Sequence, residues 1–105
     1  MNCQYRAYEP TTDSHQALTD AWAEPVTVTI WGWAITKTEQ PIEQNRRPTT
    51  TQVDIYAPPR TPNSPRGQWI LDDRGPWEQI GEAEDFTHGP RPGGGLRIRA
   101  WRNNG

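Results

Sequence analysis

Five short segments of this chain alternate apolar with polar residues, and proline or glycine lies between most of them. Successive side chains of an extended strand point to opposite faces, so the alternation predicts strands with one buried face. Proline has no N–H to donate, which confines the proline-rich joints to connections. The segments are residues 26–34, 51–57, 67–72, 77–80 and 96–101. They predict a mainly β fold, a small antiparallel β-barrel or sandwich with long loops.

The same alternation predicts which side chains form the core. In residues 26–34 the aliphatic positions share one face, whereas Trp31 and Trp33 lie on the other, and Gly32 marks a bulge or bend. The turn sequence at residues 72–75 joins two segments into a hairpin over residues 67–80. The side chains predicted to point inward are Val53, Ile55, Leu96, Ile98 and Ala100. Val26, Val28 and Ile30 are predicted to share one face of their strand, and Trp69 and Leu71 one face of theirs.

This core is small for the length of the chain. Leu, Ile, Val and Phe together number only 14 of 105 residues, against 11 prolines and 9 glycines. So few aliphatic residues would favour disorder, but six tryptophans and a net charge of −2 oppose it. We therefore expect a core built partly on tryptophan, and a domain that gains part of its stability by assembling with partners.

The first 24 residues differ from the rest and are predicted to form an N-terminal arm, with the β domain spanning residues 25–105. Asp13 and Gln16 have the spacing of a helix cap, and Ala17, Leu18, Ala21 and Trp22 would share one helical face. Such a short helix would be marginal unless it docks on another surface.

Several classes of function find no support in the sequence. One cysteine, Cys3, excludes an internal disulfide, and no Cys/His cluster has zinc spacing. No apolar run is long enough to cross a membrane, and no signal peptide is apparent, which predicts a soluble protein made in a reducing compartment. We expect no metal and no cofactor, and a near-neutral charge does not predict general affinity for nucleic acid.

Residues 76–90 contain the only arrangement that suggests catalysis. Asp85 and His88 are three residues apart, as in an acid–base pair, yet the segment has no nucleophile. Asp followed by Gly89-Pro90 is typical of a structural turn, in which the carboxylate bonds to nearby backbone N–H groups. We favour the turn over a small hydrolase and assign no catalytic residue.

Charge is segregated along the second half of the chain. Residues 72–85 hold six acids, including Asp72, Asp73 and Glu82, whereas Arg97 and Arg99 lie in a stretch with four arginines and no acid. The simpler interpretation is that these charges meet within one subunit. The alternative is that the acidic hairpin of one subunit meets the last strand of the next, a heterologous contact that can close into a ring.

The polar segment at residues 36–50 is longer than most connections, and such loops are usually functional or disordered. Its cations are Lys37, Arg46 and Arg47, and the simplest interpretation of the two arginines is a solvated loop.

From residue 26 onward the sequence resembles the head-to-tail stopper proteins of long-tailed bacteriophages, especially those of actinobacterial hosts. The most specific part is the run Glu84, Asp85, Phe86, Thr87, His88, Gly89 and Pro90, which the resemblance makes a structural turn motif. The other matching segments are residues 28–34, residues 54–58, residues 80–83, and the closing glycine-rich bend with its strand.

The resemblance implies a small β-barrel that forms a ring in the virion neck and is made in the host cytoplasm. The ring is sixfold, or alternatively twelvefold, and lies between the portal or adaptor ring and the tail terminator or tail tube. It helps to retain packaged double-stranded DNA and gives the tail a docking surface. In such a ring Lys37, Arg46 and Arg47 would face the channel, and their contact with DNA phosphate would be sequence-independent and salt-sensitive.

A second interpretation is a small-barrel module that binds single-stranded nucleic acid. Trp31, Trp33 and Trp101 would then serve as stacking platforms for bases. The sequence pI near 5.6 and the scarcity of lysine weigh against it.

Overall fold

The computed structural model describes residues 1–12, 18–39, 50–73, 75–86 and 94–103. These residues form β-strands and connections and contain no helix, which confirms the predicted mainly β fold. The strands are β1 (Asn2–Arg6), β2 (Thr11–Thr12), β3 (Leu18–Thr19), β4 (Val26–Thr29), β5 (Gly32–Glu39), β6 (Thr50–Ala57), β7 (Gln68–Ile70), β8 (Trp77–Gln79), β9 (Glu84–Asp85) and β10 (Leu96–Asn103).

One antiparallel sheet contains eight of these strands, in the order β4-β1-β7-β8-β10-β6-β5, with β9 also paired to β10. Its two end strands, β4 and β5, are consecutive in the chain and only Ile30 and Trp31 separate them. The Ile30 N–H donates to the Met1 carbonyl at one end of the sheet, and the Trp31 N–H donates to the Tyr56 carbonyl at the other, each at 2.8 Å. The sheet therefore curls back on itself. No ladder joins β4 directly to β5 in the described chain, so the fold is a sandwich rather than a closed barrel.

The core lies inside this curl, and among the described residues it holds thirteen buried hydrophobic side chains, nine of which the alternation had assigned to a face. All five side chains predicted to point inward are buried, as are four of the five predicted only to share a face, and the predicted hairpin is the pair β7–β8. Trp69 and Trp77 have no exposed surface, which confirms that tryptophan supplies much of the core. Val26 is the exception and is 48% exposed, because β4 ends the sheet and none of the described strands pairs with its far side.

The predicted orientation of Trp33 is wrong. Trp33 lies opposite Ile55 on the core face, and its ring centroid is 6.2 Å from that of Trp77. The chain bends at Trp31 as it passes from one end of the sheet to the other, which offsets the alternation by one residue. The irregularity expected at Gly32 is therefore a bend at Trp31, and a bulge follows between Ile35 and Lys37.

The N-terminal segment also differs from the prediction. Residues 2–6 are not an arm but the inner strand β1, paired with β4 on one side and with β7 on the other. Cys3 and Tyr5 point into the core, and burial raises the pKa of both side chains. The predicted helix is wrong where the chain is described, since Leu18 begins strand β3 and Trp22 forms a β-bridge with Tyr8. Residues 13–17 lie outside the described residues.

A buried glutamine, Gln79, holds the proline-rich connection between β6 and β7 against the sheet. Its Oε1 accepts from Trp69 Nε1 at 3.1 Å and from the Ser64 backbone N–H at 3.2 Å. Its Nε2 donates to Asn63 Oδ1 at 3.2 Å and to the Gly81 carbonyl at 3.0 Å. The side-chain amide has two donor hydrogens and two acceptor lone pairs, so all its hydrogen-bonding capacity is used.

A cluster around Arg66 ties residues 8–22 to the same connection. The Arg66 guanidinium bonds to both carboxylate oxygens of Asp20, with Nη2 to Oδ2 at 2.8 Å, and to the Tyr8 hydroxyl at 2.9 Å. The Tyr8 hydroxyl donates to Asp20 Oδ1 at 2.6 Å, and Trp22 Nε1 donates to the Arg66 carbonyl at 2.8 Å. Arg66 has a left-handed φ of 65°, an unusual backbone conformation that this set of bonds maintains. We call Tyr8, Asp20, Trp22 and Arg66 the Arg66 clamp.

The Arg66 clamp predicts a loss of stability in acid. Hydrogen bonds from Tyr8 and Arg66 lower the pKa of Asp20 from its usual value near 3.8. A depressed pKa in the folded state adds stability above the usual pKa, and that stability is lost as the pH falls through the folded-state pKa. We therefore expect Asp20→Asn to lower the Tm at pH 7, with the difference from the parent protein closing as the pH falls below the usual pKa and through the lowered folded-state pKa of Asp20.

Thermal unfolding followed by circular dichroism across pH 2–7 measures this difference. Glu9→Gln is the control, because Glu9 is an exposed acid in the same segment whose side chain makes no bond to the clamp. A gap between parent and Asp20→Asn that stays constant down to pH 2 would contradict the prediction.

Gly95 is required by close packing just before β10. A Cβ at this position would lie 2.5 Å from the Trp31 ring and closer still to the Ala57 carbonyl oxygen. We expect Gly95→Ala to lower the free energy of unfolding by about 1–3 kcal/mol, the usual cost of overpacking. Gly32→Ala is the matched control, since a Cβ there meets nothing within 4 Å. Urea denaturation compares the two, and equal stabilities would contradict the prediction.

Candidate functional site

The outer face of β6, β10 and β9 brings together opposite charges that are distant in sequence. Arg97 Nη2 lies 2.6 Å from Glu84 Oε2, and Arg99 lies 3.7 Å from both Asp54 Oδ1 and Glu84 Oε1. These contacts arise because β10 pairs with β6 on one side and with β9 on the other. The hydrogen bond from Arg97 to Glu84 lowers the pKa of Glu84 and raises the pKa of Arg97. Both arginines predicted at a subunit interface thus have partners within the chain.

The acids predicted for that interface lie in two places. Asp72 and Asp73 follow β7, where Asp72 is half-buried and Asp73 is exposed. Glu82 lines a cleft of about 90 Å³ beside Arg97 and Arg99, with Ile80 and Glu84 completing its walls. Sites for small molecules usually measure roughly 300–1,000 Å³, so this cleft is too small for a typical ligand. A contact between these acids and a neighbouring subunit stays a prediction.

An exposed aromatic surface lies beside the charged face. The Trp31 ring rests on the backbone of Gly95, and the Phe86 N–H donates to the Gly95 carbonyl at 2.7 Å. Tyr56 lies directly opposite Arg97 in the sheet, and the Arg97 guanidinium lies 5.8 Å from the centre of the Phe86 ring. Trp31 is 57% exposed, and Tyr56 and Phe86 are 42% and 46% exposed. We call Trp31, Tyr56, Phe86 and Arg97 the aromatic surface.

This composition is typical of a protein-binding surface. Aromatic residues and arginine are enriched at protein–protein interfaces, and tryptophan, tyrosine and arginine contribute most of the binding energy there. The neighbouring charges are balanced, because Arg97 and Arg99 face Glu84 and Asp54. A balanced face of this kind favours a protein partner over a nucleic acid, which needs an excess of cations.

The structure describes the proposed channel loop only in part. Lys37 lies on β5 opposite Gln52, next to the bulge. Arg46 and Arg47 lie outside the described residues, so a contact between this loop and DNA stays a prediction.

The turn motif predicted at residues 84–90 is partly a strand. Glu84 and Asp85 form β9 and pair with Arg97 and Leu96 of β10, so at these two residues the prediction of a turn is wrong. The reversal of direction comes earlier, at Gly81, which has a left-handed φ of 63°. Thr87, His88, Gly89 and Pro90 lie outside the described residues, and the pairing of Asp85 with His88 is therefore untested.

The three tryptophans considered as stacking platforms do not share one face. Trp33 lies opposite the buried Ile55, whereas Trp101 lies opposite Gln52, whose side chain points to the other side of the sheet. Trp33 also packs against the core. Bases stacked on Trp31 and Trp101 would therefore find no third platform at Trp33.

The structure adds groups that the sequence interpretation overlooked, chiefly Gln79 and the Arg66 clamp. Gln79 had a signal, because it is two residues after Trp77 and therefore shares its inward face. The sequence holds no signal for the Arg66 clamp, because residues 8–22 come close to Arg66 only in the folded chain. Within the described parts of the chain, no helix could span a membrane, and no group of three or more acidic, histidine or cysteine side chains could hold a metal ion.

Comparison with known proteins gives no match. No protein-family model matches this sequence, and no curated protein or solved structure is significantly similar to it.

Proposed function

We propose that this protein is a structural component of a bacteriophage neck, where it forms a ring between the portal or adaptor and the tail. The ring helps to retain packaged double-stranded DNA and provides the surface on which the tail docks. The proposal places the protein in the virion and gives it no catalytic role. The motif resemblance over residues 26–105 supports the family, and the geometry of the described residues supports a scaffold.

The aromatic surface is the observation that carries this proposal. Three exposed aromatic side chains lie beside the half-buried Arg97 on a domain with a small core. Monomeric proteins rarely leave aromatic residues grouped in this way unless the patch binds something. Because Arg97 and Arg99 are already ion-paired within the chain, the surface offers apolar area framed by paired charges, as the centre and rim of an interface do.

The proposal is tested by the mass and shape of the purified protein. Native mass spectrometry is expected to show six copies of the 12.0 kDa chain, or twelve, and negative-stain electron microscopy is expected to show particles with a central hole. Purified protein that remains a monomer, and that binds neither portal-side nor tail-side neck components, would overturn the proposal. A monomer that binds single-stranded oligonucleotide would instead support the alternative, a nucleic-acid-binding module.

The aromatic surface makes a specific prediction about assembly. Trp31→Ala is expected to weaken assembly at least tenfold, because truncation of a tryptophan anchor commonly costs about 2 kcal/mol or more of binding energy. Val26→Ala is the control, since Val26 is a similarly exposed apolar residue at the opposite end of the sheet. Sedimentation velocity over a concentration series measures both. Equal assembly of the two variants would remove the aromatic surface from the interface.

A further inference from the structure

The proline-rich connection between β6 and β7 presents prolines to solvent at a regular spacing. Its exposed prolines are three residues apart: Pro59, Pro62 and Pro65. The connection is held from beneath, because Thr61 is buried and its hydroxyl donates to the Pro58 carbonyl at 2.7 Å, and Gln79 bonds to the residues that follow. Proline loses no side-chain freedom on binding, so a fixed row of prolines is a surface prepared for contact.

Arg60 occupies a strained backbone position in the same connection. The Thr61 N–H donates to the Pro58 carbonyl at 3.3 Å, which closes a turn with Arg60 as its third residue. The φ of Arg60 is 67°, and a turn that needs a positive φ at this position ordinarily has glycine there. The Arg60 side chain is exposed, and it makes no hydrogen bond or ion pair within the described parts of the chain. Strain of this kind is concentrated at functional positions. We call Pro59, Arg60, Pro62 and Pro65 the proline face.

The aromatic surface has the complementary chemistry. Segments with the spacing Pro-x-x-Pro, which occurs twice in the proline face, dock on surfaces lined by aromatic rings. The cleft beside the aromatic surface also contains Glu82, an exposed acid that has no ion pair with any described residue. The two arginines of that cleft, Arg97 and Arg99, are already paired with Glu84 and Asp54. A cation that enters the cleft therefore meets an unpaired carboxylate.

The proline face and the aromatic surface lie on opposite sides of the sheet. Gln79 points into the core and bonds to Asn63 and Ser64, which places the connection on the core side of β8. Tyr56 and Arg97 point to the outer side, since their neighbours along β6 and β10 are buried. One chain cannot bring its own two surfaces together. A contact between them joins two copies head-to-tail, and repeated contacts of this kind close into a ring when the rotation allows.

We propose that the proline face of one copy docks on the aromatic surface of the next copy, with the Arg60 guanidinium against Glu82. A second copy is the occupant because one chain carries both halves of the recognition, the spaced prolines and the aromatic rings. It also carries one unpaired charge of each sign, Arg60 in one half and Glu82 beside the other. This inference rests on the ring assembly of the proposed function, and it assigns the surface that the aromatic surface meets.

Mixing two defective variants tests the contact. Trp31→Ala removes an aromatic anchor and the double variant Pro62→Ala/Pro65→Ala removes two prolines, and each alone is expected to assemble about tenfold more weakly than the parent. In an equimolar mixture, the intact proline face of the first meets the intact aromatic surface of the second. Native mass spectrometry is therefore expected to show a dimer and no larger species. Pro76→Ala is the matched control, because Pro76 is exposed in the β7–β8 turn, at the other end of the hairpin from the connection.

The variant Arg60→Gly separates docking from folding and needs no proline substitution. Glycine relieves the left-handed φ, so the urea midpoint is expected to stay the same or rise. Loss of the guanidinium is expected to weaken assembly about two- to fivefold, as for an exposed ion pair. Glu82→Gln is expected to weaken it equally, and the two changes together no further. A lower urea midpoint with unchanged assembly would mean that Arg60 serves only the turn, which would overturn the ion pair.

The outcomes separate this contact from the ring itself. A dimer from the mixture, with parent-like assembly of Pro76→Ala, supports the proposal. Rings that persist in Pro62→Ala/Pro65→Ala but not in Trp31→Ala would overturn the docking of the proline face and leave the proposed function standing. Two defective variants that give no dimer when mixed would also overturn it. A parent protein that does not assemble at all would overturn both.

Discussion

Replacing Gln79 with leucine is expected to lower the free energy of unfolding by about 3–5 kcal/mol. The substitution removes the partners of Trp69 Nε1, the Ser64 N–H, Asn63 Oδ1 and the Gly81 carbonyl. Trp69 Nε1 is buried and the other three groups are part-buried. A buried polar group left without a partner costs about 1–3 kcal/mol, and the part-buried groups cost less because water can reach them. Because small domains are stable by about 5–15 kcal/mol in total, the variant loses a large share of its stability.

Urea denaturation followed by tryptophan fluorescence measures this loss, and two further variants calibrate it. Gln68→Leu makes the same chemical change on the same hairpin, but Gln68 points outward and its stability is expected to change by less than about 0.5 kcal/mol. Asn63→Ala removes one of the four partners and is expected to cost about 1 kcal/mol. Similar losses for Gln79→Leu and Gln68→Leu would show that the amide does not hold the connection.

Most of the β-structure could be predicted from the sequence, because alternation is a local signal. Strands β6, β7 and β10 follow it, and their inward side chains are buried as predicted. The alternation gave the wrong face for Trp33. Strand β4 pairs with β1 and strand β5 pairs with β6, and the phase of the alternation changes between them. The alternation also missed β1, whose two core side chains, Cys3 and Tyr5, are too few to stand out.

The surfaces could not be predicted because they depend on which strands become neighbours. Arg97 meets Glu84 only because β9 adds to β10, and Trp31 meets Gly95 only because the sheet curls. The charge segregation of the sequence indicated that acids and arginines would meet, and it left open whether they do so within one chain or between two. The intrachain ion pairs favour the aromatic side chains Trp31, Tyr56 and Phe86 over the two arginines as the source of binding energy, since exposed ion pairs contribute little.

Trp69→Ala is expected to cost about 3–5 kcal/mol, as is usual when a fully buried tryptophan is truncated. Trp69 lies between two parts of the core, since its ring centroid is 4.7 Å from that of Tyr5 and its indole N–H donates to Gln79. Removing the ring therefore leaves a cavity and also deprives Gln79 of one donor. Trp31→Ala removes the same side chain from the aromatic surface, and there the expected loss of stability is at most about 1 kcal/mol.

A double-mutant cycle decides whether Trp69 and Gln79 act as one unit. Trp69→Phe keeps most of the ring and removes the indole N–H. In the double variant, Gln79→Leu therefore cannot remove this hydrogen bond a second time. The loss in the double variant is expected to be smaller than the sum of the single losses by about 0.5–3 kcal/mol, the usual range for groups in contact. Additive losses would mean that the hydrogen bond contributes nothing. The hairpin and the proline-rich connection would then be stabilised independently of this bond.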